Sequence, residues 1–214
     1  MKNSIFPKVF MWMFIGLLVS FGTGYYVYGN PNMLYNIFAT SFYYIIIILE
    51  FAIVLFLGLR IKKMNPLTAK LSFILYSIVT GLTLSIIFVA FEMASIIYVF
   101  IITAFIFLIF ALLGYFTKID LSKYSTIFMM GLIGLIIATI VNIFLNNAMF
   151  DIILSWIGVA LFIGLVAYDI QKIKNYEYTI EDQDKAAIIS ALDLYLDFIN
   201  IFLRLLKLFG KRKN

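Results

Sequence analysis

The chain is predicted to be an all-α, polytopic membrane protein with seven transmembrane helices. Of its 214 residues, 64% are hydrophobic and 13% charged, and the mean hydropathy is +1.08. A soluble domain of this length needs a polar exterior and does not reach such values, whereas a protein surrounded by hydrocarbon does. The apolar residues also occur in long segments separated by short polar connections, which is typical of a helical bundle.

Each transmembrane helix needs about twenty predominantly apolar residues. The segments that satisfy this are Val9–Tyr28, Leu34–Leu59, Leu67–Phe91, Ala94–Phe116, Tyr124–Leu145, Ile152–Ile173 and Ala187–Phe209. The first is interpreted as a retained span, because no small-residue cleavage site follows it. The longest connection, Lys174–Lys185, carries the acidic residues Glu177, Glu181, Asp182 and Asp184. With no other extramembrane segment, residues 1–214 are predicted to form a single transmembrane domain.

The basic residues predict the orientation of these spans. Eleven lie at the N-terminus and after the second, fourth and sixth segments, and none after the first, third and fifth. They are Lys2, Lys8, Arg60, Lys62, Lys63, Lys70, Lys118, Lys123, Lys172, Lys174 and Lys185. By the positive-inside rule the protein is predicted to lie in the cell membrane with a cytoplasmic N-terminus. The net charge of +5 is explained by these loops, so no nucleic-acid partner is expected.

The basic tail Lys211–Lys213 departs from that pattern. If the seventh segment crosses the bilayer completely, the tail lies outside. If the segment is re-entrant, the tail returns to the cytoplasm, which the bilayer tolerates when protein surrounds the broken helix. A full crossing is favoured, because the segment is long and a polar face along its whole length suits the centre of a bundle.

Two residue types are missing, and their absence restricts the chemistry. The sequence contains no cysteine and no histidine, so disulfides, thiolate metal sites, a cysteine nucleophile and the usual zinc ligand are excluded. Histidine is also the usual pH switch near neutrality. Any pH response must therefore come from carboxylates, and no cofactor is expected.

The last segment carries polar residues at bilayer depth. Its sequence, AAIISALDLYLDFINIFLRLLKLFG, is interrupted by Asp193, Asp197, Asn200 and Arg204, whose spacings of four, three and four residues place them on one helix face. Intramembrane carboxylates are costly and usually face an aqueous path. Asp193 and Asn200 are accordingly candidates for an ion path. Arg204 is expected to extend towards the far interface instead.

A second acid, Asp169, ends the apolar run LFIGLVAYD of the sixth segment. It can meet Asp197 if the sixth helix extends a turn or two past Asp169, through IQKIKNY. In a low dielectric, ionising both of two adjacent carboxylates is energetically unfavourable, so the two groups titrate as a coupled pair. Such a pair responds to pH without histidine. The pair is also a hard-oxygen site for calcium. The alternative is that Asp169 is only an interfacial residue.

Two further charges in the second segment belong to this hypothesis. Arg60 ends that segment at the predicted inner boundary, and its guanidinium suits a carboxylate better than an ammonium does. It is either a topology anchor or a latch on Asp169. Glu50 lies ten residues earlier, at a depth where a carboxylate usually lines a cavity. For Glu92, Asp120 and Asp151 simple solvation is expected.

Several segments resemble the transmembrane Bax inhibitor motif family. AYDIQKI and ALDLYLDFINIFLRLLKLFG are similar to its last two spans, with YLDFIN the most specific part, and MNPLTAKLSFILYSIVTGLTLS and SIIYVFIITAFIF resemble its third and fourth spans. The resemblance implies two three-helix layers around a central C-terminal helix. It also implies calcium leak across a membrane, with suppression of cell death in eukaryotic members. The family's paired aspartates fall on Asp169 and Asp197, and its arginine on Arg60.

These observations lead to a non-enzymatic function, a pH-sensitive calcium-leak channel whose partners are calcium ions, protons and the bilayer. A calcium–proton exchanger needs the same titratable oxygen ligands and stays open as an alternative. An intramembrane aspartyl protease also uses two aspartates, one in a Tyr-Asp pair as at Tyr168–Asp169. That class requires a glycine-rich second motif, whereas Asp197 lies in LYLDF among bulky residues.

Overall fold

A computed structural model describes residues 4–39, 42–60, 63–179 and 182–213, with the backbone alone over residues 177–179. Among the charges considered above, Lys2, Lys62 and Glu181 and the side chain of Glu177 lie outside this description. The eight α-helices in the described part of the chain are α1 (Phe6–Tyr28), α2 (Pro31–Phe38), α3 (Phe42–Arg60), α4 (Pro66–Ala90), α5 (Met93–Phe116), α6 (Ser125–Leu145), α7 (Ala148–Thr179) and α8 (Gln183–Phe209).

Seven of these helices are long and apolar enough to cross a membrane. This confirms the all-α fold class and the number of spans. Over the described ranges the only β-type pairing is one isolated antiparallel bridge between Phe91 and Arg212. Helix boundaries follow local signals: Asn65 caps α4 by accepting a hydrogen bond from the Thr68 N–H at 2.8 Å. Asn146 ends α6 in the left-handed conformation with φ 46°.

Two predicted segment boundaries were wrong. The second segment is not one helix: the eight-residue α2 ends at its C-cap Ala39, whose N–H donates to the Tyr35 carbonyl, and α3 begins at Phe42. The sixth segment is longer than predicted, since α7 has 32 residues and continues to Thr179. It therefore takes up part of the predicted connection. This continuation past Asp169 is the extension that the aspartate-pair hypothesis required.

The helices form two compact units that share α8. Unit 1 comprises Met1–Met93, Ile180–Tyr195 and Arg212–Asn214, and unit 2 comprises Ala94–Thr179 and Leu196–Lys211. In α8, 78% of the apolar window is buried, against 56% in α4 and less in the other spans. The arrangement of two three-helix layers and the single domain over residues 1–214 stay predictions.

In unit 1, α1 and α4 approach closely through small residues. A Cβ atom added to Gly81 would lie 2.6 Å from the Ser20 carbonyl oxygen, and one added to Gly24 would lie 3.0 Å from the Gly81 carbonyl oxygen. The Ser20 hydroxyl donates to the Ser77 carbonyl at 2.7 Å. Small residues at such spacing are typical of membrane helix pairs, whose backbones attract each other by close packing.

Side chains at the two ends of unit 1 show how its helices run. At one end Asp184 lies 2.6 Å from the Lys8 ammonium and 3.4 Å from the Lys70 ammonium. At the other end the Lys213 N–H donates to the Ala90 carbonyl at 3.0 Å, and the Lys213 ammonium reaches Tyr28. We call these the amino end and the tail end. The helices α1 and α4 therefore run parallel, with the start of α8 at their amino end and residues 212 and 213 at their tail end, and the complete crossing of α8 stays a prediction.

Candidate ion site

The antiparallel pair α7 and α8 of unit 2 carries the two predicted aspartates. Its register is set by side chains near the end of α8. The Arg204 guanidinium donates to the Leu154 carbonyl at 3.1 Å and lies 5.7 Å from the centre of the Phe162 ring. Lys207 forms an ion pair with Asp151. As α8 advances from Arg204 to Lys207, its partners on α7 move back from Phe162 towards Asp151.

The pairing of the two aspartates stays a prediction, because the contacts of Arg204 with Leu154 and with Phe162 imply registers that differ by eight residues of α7. Asp169 lies seven residues after Phe162, and Asp197 lies seven residues before Arg204. Seven residues are about two helical turns, which return a side chain to nearly the same face. Counted from Phe162, Asp197 falls opposite Asp169, whereas counted from Leu154 it falls opposite Leu161. Both aspartates are buried, with 7% and 4% of their surface exposed.

An ammonium group and several aromatic rings lie near the two aspartates within unit 2. The Lys172 ammonium lies 3.5 Å from Asp169, one turn along α7. Beside Asp197, the Phe198 ring packs against the Phe100 and Phe107 rings at centroid distances of 5.2 and 5.8 Å. A buried carboxylate in such surroundings has a strong electrostatic requirement for a proton or a cation.

The other residues of the polar stripe on α8 have separate environments. Asp193 belongs to unit 1 and is half-buried. The Asn200 amide donates to the Leu196 carbonyl of its own helix at 2.8 Å. Arg204 was expected to extend towards the interface, and this was wrong: its guanidinium is half-buried against α7. Asp151 was expected to be merely solvated, which was also wrong, since it is paired with Lys207.

Unit 1 contains a second polar group around Glu50. The Glu50 carboxyl is half-buried on α3 and faces the Thr80 and Thr83 hydroxyls of α4. Tyr76 and Tyr195 are close enough to interact with it electrostatically. Arg60, the predicted latch, is exposed in the last turn of α3. Its contact with Asp169 stays a prediction.

Sequence reasoning missed the tyrosine at the centre of the unit 1 group. Tyr195 is fully buried, and its hydroxyl lies 2.6 Å from the Ser20 hydroxyl. Its ring makes edge contacts with Phe73 and Tyr76 at 5.6 and 6.0 Å between centroids. Tyr195 lies in the YLDFIN motif two residues before Asp197, and the small residues around Ser20 were the available sign that another helix packs there.

Metal binding was predicted for Asp169 and Asp197 alone. Across the described residues, no group of three or more acidic, histidine or cysteine side chains is placed to hold a metal ion. Calcium takes six to eight oxygen ligands. A calcium ion at the aspartate pair would therefore take most of its ligands from backbone carbonyls, hydroxyls or water.

Comparison with known proteins identifies the chain's relatives. The family model described as "Inhibitor of apoptosis-promoting Bax1" matches residues 2–214. The chain is 40% identical over 212 residues to the inner membrane protein YbhL of Escherichia coli K12, covering 96% of this chain and 91% of YbhL. It is 39% identical over 218 residues to a protein of Borreliella burgdorferi, covering 100% and 94%. A membrane protein of Streptococcus pyogenes serotype M1 is 32% identical over 220 residues, covering 98% and 93%. The chain is thus a multi-pass membrane protein and belongs to the Bax inhibitor-1 family.

Proposed function

We propose that this protein is a pH-sensitive calcium-leak channel of the cell membrane, with its N-terminus in the cytoplasm. The observation that carries the proposal is the burial of two carboxylates within the spans, Asp169 on α7 and Asp197 on α8. A channel for divalent cations needs oxygen ligands at bilayer depth, and a pH-sensitive one needs those ligands to bind protons.

In the proposed mechanism, the two carboxylates share one proton in the closed state. Losing or gaining a proton changes the charge of a buried site, and this changes the packing of the neighbouring helices against α8. Calcium and protons compete for the same oxygens. Glu50, with its threonine hydroxyls, supplies a second set of oxygen ligands for the ion path, and Asp193 and Asn200 extend that path along α8.

The part given to Arg60 rests on the family resemblance. As the latch, its guanidinium holds a carboxylate of the pair in the closed state. A guanidinium can donate two parallel hydrogen bonds to one carboxylate, which an ammonium cannot do. Replacing it by Lys is then expected to keep the charge and weaken the latch. Calcium flux in an Arg60→Lys variant is expected to exceed that of the wild type.

The test is calcium flux into lipid vesicles that contain the purified protein, measured between about pH 5 and pH 8, the interval in which perturbed carboxylates titrate. We expect Asp169→Asn and Asp197→Asn each to abolish the pH dependence, because an amide does not titrate. Unchanged flux with unchanged pH dependence in both variants would exclude the mechanism.

Asp120→Asn is the matched control, since it removes one carboxylate from unit 2 without touching the pair. Asp120 lies before the short 3₁₀ helix Leu121–Tyr124. The hydroxyl and the backbone N–H of Ser122 donate to its carboxyl and hold its pKa below the usual value. Asp120 therefore stays ionised over the tested range, and its replacement is expected to leave the pH profile of the flux unchanged.

A calcium–proton exchanger would use the same two carboxylates in alternation. An imposed proton gradient separates the two functions. In an exchanger it drives calcium against its own gradient, whereas through a leak calcium only runs down its gradient. The leak proposal predicts no uphill calcium transport by the wild-type protein under any proton gradient.

A further inference from the structure

The last residues of the chain are bound at the tail end of unit 1. Arg212 forms an antiparallel bridge with Phe91, and the Lys213 N–H donates to the Ala90 carbonyl at 3.0 Å. Residues 212 and 213 thus run as a short extended segment against the end of α4. This attachment uses backbone groups that the end of a helix leaves without helical partners.

The Lys213 side chain occupies a cation site built by α1 and α4. Its ammonium donates to the Phe88 carbonyl at 2.7 Å and to the Tyr28 hydroxyl at 3.0 Å. It also lies 4.7 Å from the centre of the Tyr28 ring. The Tyr25, Tyr28 and Phe88 rings pack on one another with centroids about 6 Å apart. A carbonyl oxygen, a hydroxyl and an aromatic face together make a site for an ammonium group.

The first turn of α8 is also held in unit 1. Asp184 pairs with Lys8 of α1 and Lys70 of α4 at the amino end. The segment that begins α8 and the segment that follows it are therefore both attached to the same two helices, at opposite ends. A displacement of α8 along or away from α1 and α4 has to break one of these attachments.

We propose that Arg212 and Lys213 form a strap, and that capture of the Lys213 ammonium between Tyr28 and Phe88 holds α8 in the closed, non-leaking arrangement. The gating part of this inference rests on the proposed function, whereas the capture itself does not. A strap with one charged anchor is reversible, because an exposed ammonium contributes only a modest stabilisation. Release of the anchor then raises the leak.

Capture is tested first by cross-linking, which the absence of cysteine from the chain makes simple. Opposed residues of an antiparallel pair have Cα atoms roughly 4.5–5.5 Å apart, within the range of about 4.4–6.8 Å that a disulfide bridges. The pair Phe91→Cys with Arg212→Cys is expected to oxidise readily, as counted by loss of free thiols. The control pair Lys8→Cys with Arg212→Cys joins opposite ends of unit 1 and is expected to keep its thiols.

The charged anchor is tested in the same cysteine pair. Lys213→Gln is expected to slow the cross-linking by about three- to tenfold, and Tyr28→Phe, which keeps the ring and removes the hydroxyl, by less. Lys211→Gln removes the same charge two residues earlier and is expected to leave the rate unchanged. If the 91–212 pair does not cross-link, or if Lys213→Gln and Lys211→Gln have equal rates, capture is overturned.

Gating is tested by calcium flux in vesicles. We expect the oxidised 91–212 protein to leak several-fold less calcium than the same protein after reduction, and Lys213→Gln to leak more than Lys211→Gln. If the wild-type protein leaks calcium and neither comparison shows a difference, the strap does not gate and that part is overturned. If the wild-type protein does not leak at all, the proposed function fails, and the cross-linking rates alone decide the capture.

Discussion

Replacing Tyr195 by Ala is expected to lower the free energy of unfolding by about 3–5 kcal/mol, the usual range for a large aromatic residue in a packed core. Tyr195 has none of its surface exposed, and its ring fits between Phe73 and Tyr76 of α4. Removing the ring leaves a cavity whose lining loses its dispersion contacts. Those contacts are the main attraction between helices in a membrane, where burial gains little from the hydrophobic effect.

The Tyr195 hydroxyl is expected to contribute separately. Tyr195→Phe removes the Tyr195 partner of the Ser20 hydroxyl, yet the single Ser20 O–H still has the Ser77 or the Gly16 carbonyl as an acceptor. We therefore expect a loss of only about 1 kcal/mol, the usual value of one hydrogen bond. Thermal unfolding in detergent measures both variants.

The control for the Tyr195 prediction is Tyr98→Ala on α5. Tyr98 has 69% of its surface exposed, so the same change there removes few packing contacts and is expected to alter stability by less than about 0.5 kcal/mol. Equal decreases in the free energy of unfolding for Tyr195→Ala and Tyr98→Ala would show that the buried Tyr195 ring does not stabilise unit 1.

Replacing Gly114 by Ala is expected to lower the stability of unit 2 and, under the proposed function, to change the pH profile of calcium flux. A Cβ atom at Gly114 would lie 2.7 Å from the Ala167 Cα atom and closer still to the Ala167 carbonyl oxygen. Both are backbone atoms of α7, so the helix itself has to move. Overpacking of this kind costs about 1–3 kcal/mol, and the shift occurs two residues from Asp169.

Gly134→Ala is the matched control for this substitution. Gly134 lies within α6 of the same unit, and a Cβ atom there would meet nothing within 4 Å. Alanine also favours a helix over glycine by about 1 kcal/mol, so Gly134→Ala is expected to be neutral or stabilising. Thermal unfolding and the pH profile of calcium flux compare the two variants. A normal pH profile in folded Gly114→Ala protein would contradict the expected coupling between α5 packing and the pair.

Much of the fold was predictable because hydropathy alone identifies membrane spans. Hydrocarbon cannot satisfy backbone hydrogen bonds, so a long apolar segment has to be a helix. The end of α2 at Phe38 was missed for the same reason: Leu34–Leu59 is mostly apolar, and a hydropathy window does not register where one apolar helix ends and the next begins. The extension of α7 to Thr179 was considered only as a condition for Asp169 to meet Asp197. The predicted segment ended earlier, because the additional turns are polar and lie outside any apolar window.

The candidate site was predictable where its chemistry is conspicuous at bilayer depth. Asp169 and Asp197 were identified from their cost in lipid, and the structure buries both. The fate of Arg204 was not predictable, because an arginine near the end of a span either extends to the interface or packs inward. The position of the Arg204 guanidinium depends on Leu154 and Phe162, which belong to a helix 40 to 50 residues earlier in the sequence.

The sequence by itself determined that this chain crosses a membrane seven times and carries acids where lipid disfavours them, because length, hydropathy and charge act locally along a helix. Only the tertiary structure decided which side chains meet. The contact of Arg204 with Leu154, the hydroxyl contact of Tyr195 and the contact of Lys213 with Phe88 all depend on the register between helices. That register is set by close contacts such as Gly81 on Ser20, which no local pattern specifies.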